Sequence, residues 1–313
     1  MPFFYRHPQL ETLGQQILDA TWSKFPNLTE QQIALTWLVY DPPVIVNTGA
    51  AIAYEEFWQY PVRGFSYRGT ERYYPAHLAQ LFYLVAIEEW LSKEMLTTSP
   101  ELERAIRDMA IHSSHDATSL VIDVLSGTTS GPELSPGPFE TWKQQRNIVN
   151  RYFQSLGWEE LAEINLNQKT WSYGPYGRER YYMGEMMDNR NMLTANAIAR
   201  LLHSIIGGVA VSSDRAQTMM QLLQRQPDLP PTQTGTENGI QGFLGAGIPP
   251  QSHLWSKGAW NAQIRHDAAY IEVPDLQPYL LVVLTEGIDE QDKAAILPFI
   301  SQEVLAAMTQ IFQ

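Results

Sequence analysis

The chain has 313 residues, of which 44% are hydrophobic and 18% charged, so it is long enough to bury a core without disulfides or a structural metal. It contains no cysteine, which excludes disulfides, thiolate nucleophiles and cysteine-based zinc or iron–sulfur sites. Acidic residues outnumber basic ones by 34 to 21, and the formal charge of −13 argues against nucleic acid or an anionic membrane as a partner, because such surfaces are bound by clustered lysine and arginine.

The beginning of the sequence has no basic start followed by a long apolar run, so it does not resemble a signal peptide. No window approaches the stretch of about 18 uncharged apolar residues that is typical of a membrane-spanning helix. Together these two observations predict a cytoplasmic protein that does not bind a membrane.

The first two thirds of the chain predict one helix, two strands and then a run of helices. Apolar residues recur at helical spacing over residues 8–25, and two β-rich stretches follow at residues 33–40 and 63–69. Further helices are predicted over residues 75–87, 100–112, 113–125, 139–156, 194–206 and 214–225, whereas residues 128–138 and 171–191 are predicted loops.

After residue 227 the composition returns to strand-forming residues. Residues 254–257, 268–273 and 279–285 predict a three-stranded meander, and residues 289–311 predict a closing amphipathic helix. This order predicts an α+β fold with an antiparallel sheet flanked by helices. Residues 1–70 and 227–313 are predicted to form a discontinuous sheet domain and residues 71–226 a helical domain, the two packing as one compact unit.

Three stretches, taken in order along the chain, carry a resemblance to a known family. Residues 73–84 read YYPAHLAQLFYL, residues 113–117 read SSHDA, and residues 255–260 read WSKGAW. They resemble the Ser-x-x-Lys helix, the Ser-Asp-Asn motif and the Lys-Thr-Gly strand of class A β-lactamases and related penicillin-recognising serine hydrolases. The resemblance implies a β-lactamase/transpeptidase-like fold with a ligand cleft between its sheet and its helices.

At several motif positions the residues depart from the family pattern. His77 stands where the family has its nucleophilic serine, and Gln80 stands where it has a lysine one helical turn later. An imidazole gives no acyl-enzyme as stable as a serine ester, and a glutamine side chain cannot act as a general base. His115 replaces the asparagine of the second motif and Ala259 the glycine of the third. Because such residues act as a unit, these changes predict that the inherited serine chemistry is absent.

Other motif positions are kept. Ser113 matches the serine of the second motif, Lys257 matches the lysine of the third, and Gly258 lies one place early for its glycine. Arg265 follows Lys257 by eight residues and is predicted to lie across the hairpin. The resemblance implies that such cations hold the carboxylate of a ligand, which an arginine can bind with two hydrogen bonds.

Residues 173–191 occupy the place of the family's Ω-loop, where class A enzymes keep a glutamate that activates water. Glu179 and Glu185 are both available for this role, and nothing in the sequence chooses between them.

One spacing is also compatible with a metal site. His112, His115 and Asp116 fall at i, i+3 and i+4, which on one helix face can bind a divalent metal. A solvated helix start is the simpler interpretation, so neither a metal nor a cofactor is predicted.

Three functions are compatible with these observations. The first is a degenerate family member that binds a carboxylate-bearing small molecule, peptide or protein partner in the cleft, lined by His77, Gln80, Ser113, His115 and Lys257 with Arg265 at its edge. The second is a hydrolase that cleaves an amide or ester through rebuilt machinery using His77 and His115. The third is a structural interaction protein whose cleft has filled in. Turnover distinguishes the second from the first, and an open cleft distinguishes both from the third.

Overall fold

The computed structural model describes residues 2–41, 53–226 and 240–311 of the chain. These residues form one seven-stranded sheet with helices on both faces. The strands are β1 (Phe4–Arg6), β2 (Ile33–Val39), β3 (Val62–Tyr67), β4 (Gln224–Arg225), β5 (His253–Trp260), β6 (Arg265–Glu272) and β7 (Tyr279–Thr285). The helices are α1 (Pro8–Lys24), α2 (Tyr54–Phe57), α3 (Ala79–Ser92), α4 (Pro100–His112), α5 (His115–Ser126), α6 (Pro136–Arg146), α7 (Ile148–Ser155), α8 (Gly177–Met183), α9 (Ala195–Ile206), α10 (Ser213–Leu223) and α11 (Lys293–Ile311).

The strand order in the sheet is β1-β3-β2-β7-β6-β5-β4, so strands from both ends of the chain lie side by side. All neighbouring strands run antiparallel except β1, which pairs parallel with β3. The strands β5, β6 and β7 pair in sequence order, as the predicted meander requires. The predicted α+β fold class is confirmed.

The sheet separates two apolar clusters. One cluster packs α1 and α11 against one face of the sheet, with Leu10, Leu18 and Ile300 among its buried members. The other packs the helical part of the chain against the opposite face, with Phe82 and Ile198 among its fully buried members. Every residue of β2 is buried because both of its faces are covered, which explains why this strand reads as a continuous apolar run.

Several element boundaries differ from the prediction for local reasons. The helix predicted over residues 139–156 is two helices, α6 and α7, because the backbone leaves helical geometry at Asn147. The predicted loop over residues 171–191 contains the short helix α8, whose seven residues are too few to show a helical period. Strand β1 has only three residues, which is also too short to give an alternating pattern.

The predicted boundary between the two domains falls at residue 227, which lies outside the described residues. Just before it, Gln224 and Arg225 form the edge strand β4 and pair with β5, so the last residues assigned to the helical domain belong to the sheet. The division into two domains stays a prediction.

Helix α11 is the one helix in the described ranges that is long and apolar enough to cross a membrane by length and composition. A single helix of this kind is weak evidence, because the core helix of a globular protein passes the same test. In this fold α11 buries Ile296, Leu297, Ile300, Val304 and Met308 against the sheet. The cytoplasmic localisation stays a prediction.

Candidate functional site

His77 lies at a backbone turn that leads into α3. Residues Ala76, His77 and Leu78 form a short 3₁₀-helix directly before α3 begins at Ala79. The φ angle of Ala76 is +44°, a left-handed value that is uncommon for a residue with a side chain and marks local backbone strain. The strain falls on the residue that precedes the position where the family motif has its serine.

Ser113 separates α4 from α5. Its φ angle of +54° ends α4 in a left-handed conformation, and Ser114 then caps α5 by accepting a hydrogen bond from the Ala117 backbone N–H at 3.2 Å. His112 therefore belongs to α4 and His115 to α5. The premise that His112, His115 and Asp116 share one helix face is wrong, because the left-handed residue between them redirects the chain.

Lys257 extends from β5 to this break between the helices. Its ammonium nitrogen lies 2.9 Å from the Met109 carbonyl oxygen, 3.0 Å from the Ala110 carbonyl oxygen and 2.7 Å from the Ser113 Oγ. The last carbonyls of a helix have no partner within the helix, so the lysine satisfies groups that α4 leaves open. Burial lowers the pKa of Lys257 well below its usual value, and the nearby charge of Arg225 lowers it further.

A cavity of about 530 Å³ opens beside these residues. Five of the residues predicted for the site line it: His77, Ser113, His115, Lys257 and Gly258. The other described lining residues are Tyr74, Ala76, Ile111, His112, Ser114, Thr170, Trp171, Ser172, Arg225, Phe243, Trp260 and Asn261. No aspartate or glutamate is among the lining residues that the structure describes, although acidic residues are in excess in the chain.

The two histidines of the motif positions face each other in the cavity. The ring centroids of His77 and His115 are 5.0 Å apart. Burial, reinforced by the charges of Lys257 and His115, lowers the pKa of His77 to about 3. Burial also lowers the pKa of His115, against the raising effects of a hydrogen bond with the Thr170 backbone and the charge of Asp116. Both imidazoles are therefore neutral near pH 7 and can accept a proton.

Gln80 and Ala259 are placed behind the lining of the cavity. Gln80 is buried in α3 and donates a hydrogen bond from Nε2 to Thr118 Oγ1 at 2.7 Å. Ala259 is fully buried in the apolar cluster on the helical side of the sheet. Neither side chain is among the residues that line the cavity, in contrast to the prediction for Gln80 as a lining residue.

Arg265 lies on the opposite face of the sheet from Lys257. In the hairpin Lys257 pairs with Ala268, whereas Arg265 pairs with Trp260. Trp260 lies three positions after Lys257 on the same strand. Because side chains alternate between the two faces, Trp260 and its partner Arg265 point to the face opposite to Lys257. The Arg265 guanidinium accordingly donates to the Gly242 carbonyl at 3.2 Å and stacks 4.8 Å from the centre of the Phe243 ring. Phe243 and Trp260, the two rings that the guanidinium contacts, both line the cavity. The place of Arg265 at the edge of the cleft, as a ligand-binding residue, stays a prediction.

Neither Ω-loop glutamate lines the cavity. Glu179 is fully buried, pairs with Arg146 at 2.6 Å and accepts a hydrogen bond from Ser130 at 2.8 Å. Its carboxylate is thus held in a structural ion pair. Glu185 lies on the exposed segment after α8.

Arg225 is the cavity residue that the sequence analysis missed. It sits in the edge strand β4, half-buried, and donates hydrogen bonds to the carbonyl oxygens of Leu222 at 3.0 Å, Gln224 at 2.9 Å and Ala110 at 3.2 Å. Ala110 thus accepts from both Arg225 and Lys257. An isolated arginine after a helical stretch gives no sequence signal for this role.

Within the described ranges, no group of three or more histidine, aspartate or glutamate side chains is placed to hold a metal ion. The polar side chains that line the cavity include two basic residues, three histidines and several hydroxyl groups.

The fold is similar to that of solved penicillin-binding proteins and β-lactamases. A mutant of PBP-A, solved as an acyl-enzyme complex with penicillin G, matches with a TM-score of 0.65 at 17% identity, over 99% of this chain and 100% of that chain. The β-lactamase from Sphaerobacter thermophilus matches with a TM-score of 0.61 at 15% identity, over 94% and 97% of the two chains. A β-lactamase from Xanthomonas campestris gives 0.57 at 14% identity, over 92% and 96%. At these identities the similarity establishes the fold. No curated protein matches the chain.

A family model described as the β-lactamase enzyme family matches residues 90–308, which is more than half of the chain. The matched range contains Ser113 and Lys257 and begins after His77 and Gln80. The β-lactamase/transpeptidase-like fold implied by the resemblance is confirmed, and the chain belongs to the β-lactamase enzyme family.

Proposed function

We propose that this chain is a family member without the serine chemistry at position 77 and that it binds a carboxylate-bearing small molecule, peptide or protein segment in the cavity. The observation that carries the proposal is the charge of the lining: Lys257 and Arg225 are both present, and the described lining residues include no carboxylate to neutralise them. A concave site of one sign of charge concentrates ligands of the other sign.

The partner that we propose for the ligand carboxylate is the hydroxyl of Ser113, which Lys257 holds by a hydrogen bond. When the lysine is charged, its three N–H groups donate to Met109, Ala110 and Ser113. The Ser113 hydroxyl then has its own proton free to donate to a ligand oxygen. A hydroxyl polarised by an ammonium group donates a strong hydrogen bond to a carboxylate, so the buried charge acts through the serine.

The residues at the first motif support the absence of the family's turnover. His77 is neutral near pH 7, and Gln80 is engaged with Thr118 and has no titratable group. A nucleophilic serine and its base one turn later act as a unit, so the loss of either member alone already removes most of the rate enhancement that the unit provides, and here both are replaced.

The pairing of His77 with His115 favours a second candidate, a hydrolase with rebuilt machinery. Two neutral imidazoles with ring centroids 5.0 Å apart can activate a water molecule between them. This candidate predicts turnover of an amide or ester by the unmodified protein, and loss of that turnover in His77→Gln and His115→Gln.

The binding proposal is tested by titrating the protein with benzylpenicillin and with its methyl ester in a calorimeter, with intact mass recorded in parallel. The carboxylate form is expected to bind at least about tenfold more tightly than the ester, since a charge-assisted hydrogen bond contributes more than 1.4 kcal/mol. Arg225→Gln should weaken binding of the carboxylate form, whereas Arg107→Gln, which changes the net charge equally on an exposed helix surface outside the cavity, should not. Equal binding of acid and ester, or turnover by the unmodified protein, would contradict the proposal.

A further inference from the structure

The neighbours of Lys257 Nζ differ in what they can do. Two of them, the carbonyl oxygens of Met109 and Ala110, only accept hydrogen bonds. The third, the Ser113 hydroxyl at 2.7 Å, can accept or donate. A neutral amine has two N–H groups and one lone pair. When Lys257 is neutral, the two carbonyls therefore take both N–H groups and the lone pair faces the proton of Ser113.

We propose that Ser113 is a nucleophile that can be acylated or phosphonylated, with Lys257 as its base. This activity goes beyond the proposed function, which requires only reversible binding of a carboxylate. It assigns to the second motif a covalent chemistry that does not involve position 77.

The surroundings of Lys257 allow it to serve as a base. Its side chain is 2% exposed, and among the described residues it forms no ion pair with a carboxylate. The charged and titratable groups near it are Arg225, His77 and His115, none of which stabilises an ammonium ion. Burial and Arg225 together lower its pKa well below the usual value, so the neutral amine forms at a lower pH than in an exposed lysine.

Ser113 is open to a reagent in the cavity. It is half-buried and lines the cavity, and its left-handed backbone holds it at the junction of α4 and α5. The molecule bound in the cavity determines whether Lys257 is charged or neutral. A carboxylate favours the ammonium form of Lys257, which makes Ser113 a donor, whereas an uncharged electrophile leaves the amine free to accept the serine proton.

The chemical step balances within the pair and the reagent. The Ser113 oxygen forms a bond to the carbonyl carbon of an activated ester, or to the phosphorus of a fluorophosphonate, while its proton moves to Lys257 Nζ. The bond to the leaving group breaks, an alkoxide or fluoride departs with the electron pair, and the ammonium returns the proton to it or to solvent. No oxidant, reductant or further reactant is needed.

The test uses an uncharged alkyl fluorophosphonate on the full-length protein, with intact mass and peptide mapping. A single adduct on Ser113 is expected. Ser113→Ala should abolish it, and Ser155→Ala should leave it unchanged, because Ser155 is an exposed serine on α7 whose hydroxyl donates only to the Tyr152 carbonyl. An adduct elsewhere, or one that persists in Ser113→Ala, would overturn the proposal.

A second measurement on the unmodified protein does not depend on any variant folding. The rate of labelling at Ser113 should rise with pH to a plateau. The midpoint of this rise should lie below 10.5, the usual pKa of a lysine. Lys257→Met should slow labelling by roughly 100-fold, as loss of a general base does. No labelling of the native protein between pH 7 and 10, under conditions where a known serine hydrolase is fully labelled, would overturn the proposal, as would a rate that simply follows hydroxide concentration.

Discussion

The Nζ atom of Lys257 lies 2.7 Å from the Oγ atom of Ser113, although 144 positions separate the two residues in the chain. Lys257 comes from β5, the strand next to the edge of the sheet, and Ser113 from the break between two helices. The contact therefore joins the sheet to the helical part of the molecule at the wall of the cavity, and it survives where the first motif of the family does not.

Restoring the first motif is expected to restore acylation by penicillin. In the double variant His77→Ser/Gln80→Lys, a serine stands after the strained Ala76 and a lysine lies one turn later on α3, facing the interior next to Thr118. We expect this variant to gain the mass of one penicillin, measured by intact mass spectrometry. The unmodified protein should gain none, because the penicillin carboxylate stabilises the ammonium form of Lys257, in which Ser113 is a donor. The single variant His77→Ser is the control and should react far more slowly.

The buried Asp267 is expected to contribute a stability that falls as pH rises, opposite in sign to the contribution of the buried His77. Burial raises the pKa of Asp267 from 3.8 to about 7, against the lowering effect of backbone hydrogen bonds and of the Arg225 and Arg265 charges. Because the folded pKa exceeds the unfolded one, the folded state holds the proton more tightly, and stability falls as pH rises from about 4 through 7.

Asp267→Asn removes this penalty. In urea unfolding, the unfolding free energy of the variant minus that of the unmodified protein should be roughly 2–4 kcal/mol larger at pH 8 than at pH 5. The same pH dependence in both proteins would assign it to other groups.

Glu179→Gln is expected to destabilise the protein by about 3 kcal/mol, because it leaves the fully buried Arg146 guanidinium without one of its two carboxylate partners. The free energy of unfolding in urea measures this loss. Glu101→Gln, which breaks an exposed ion pair with Arg104, is the matched control and should leave that free energy unchanged within error. A loss no larger than that of Glu101→Gln would contradict the structural role of this glutamate.

His77 is expected to stay neutral well below the usual range of histidine. Its pKa of about 3 arises chiefly from burial, so folding is disfavoured as pH falls below the unfolded value of 6.5, where the unfolded imidazole takes up a proton that the folded one does not. Nitrogen-15 NMR of the imidazole rings should show His77 in a neutral tautomer at pH 5. A charged His77 ring at that pH would contradict the burial described here.

The sequence predicts the meander well because its strands are long and bounded by turns. β7 spans the predicted residues 279–285, and α4 begins at Pro100 and ends at His112 as predicted, since a serine cap, a proline and an amphipathic pattern mark it clearly. The short helix α8 has too few residues to show a helical period, and the break at Asn147 changes the backbone at a single residue inside one continuous helical pattern.

The sequence predicted the cavity residues at the motif positions and did not predict the others. His77, Ser113, His115 and Lys257 meet in one cavity as the order of motifs implies. Spacing along the chain could not place Arg265, because the face of a strand depends on the register of pairing, and a shift of one residue reverses it. Arg225 carries no motif and reaches the cavity only because β4 closes the edge of the sheet.

Both cations of the cavity are anchored to the main chain at the end of α4, through the carbonyl oxygens of Met109 and Ala110. This end is the negative pole of the helix, equivalent to roughly half an elementary charge, and it offsets part of the cost of burying the two cations without a carboxylate. Since main-chain atoms are common to all residues, substitutions at positions 109 and 110 leave these anchors in place as long as the helix ends at Ser113. The electropositive character of the cavity is thus encoded in where a helix stops, so lengthening α4 by one residue would displace both charges together.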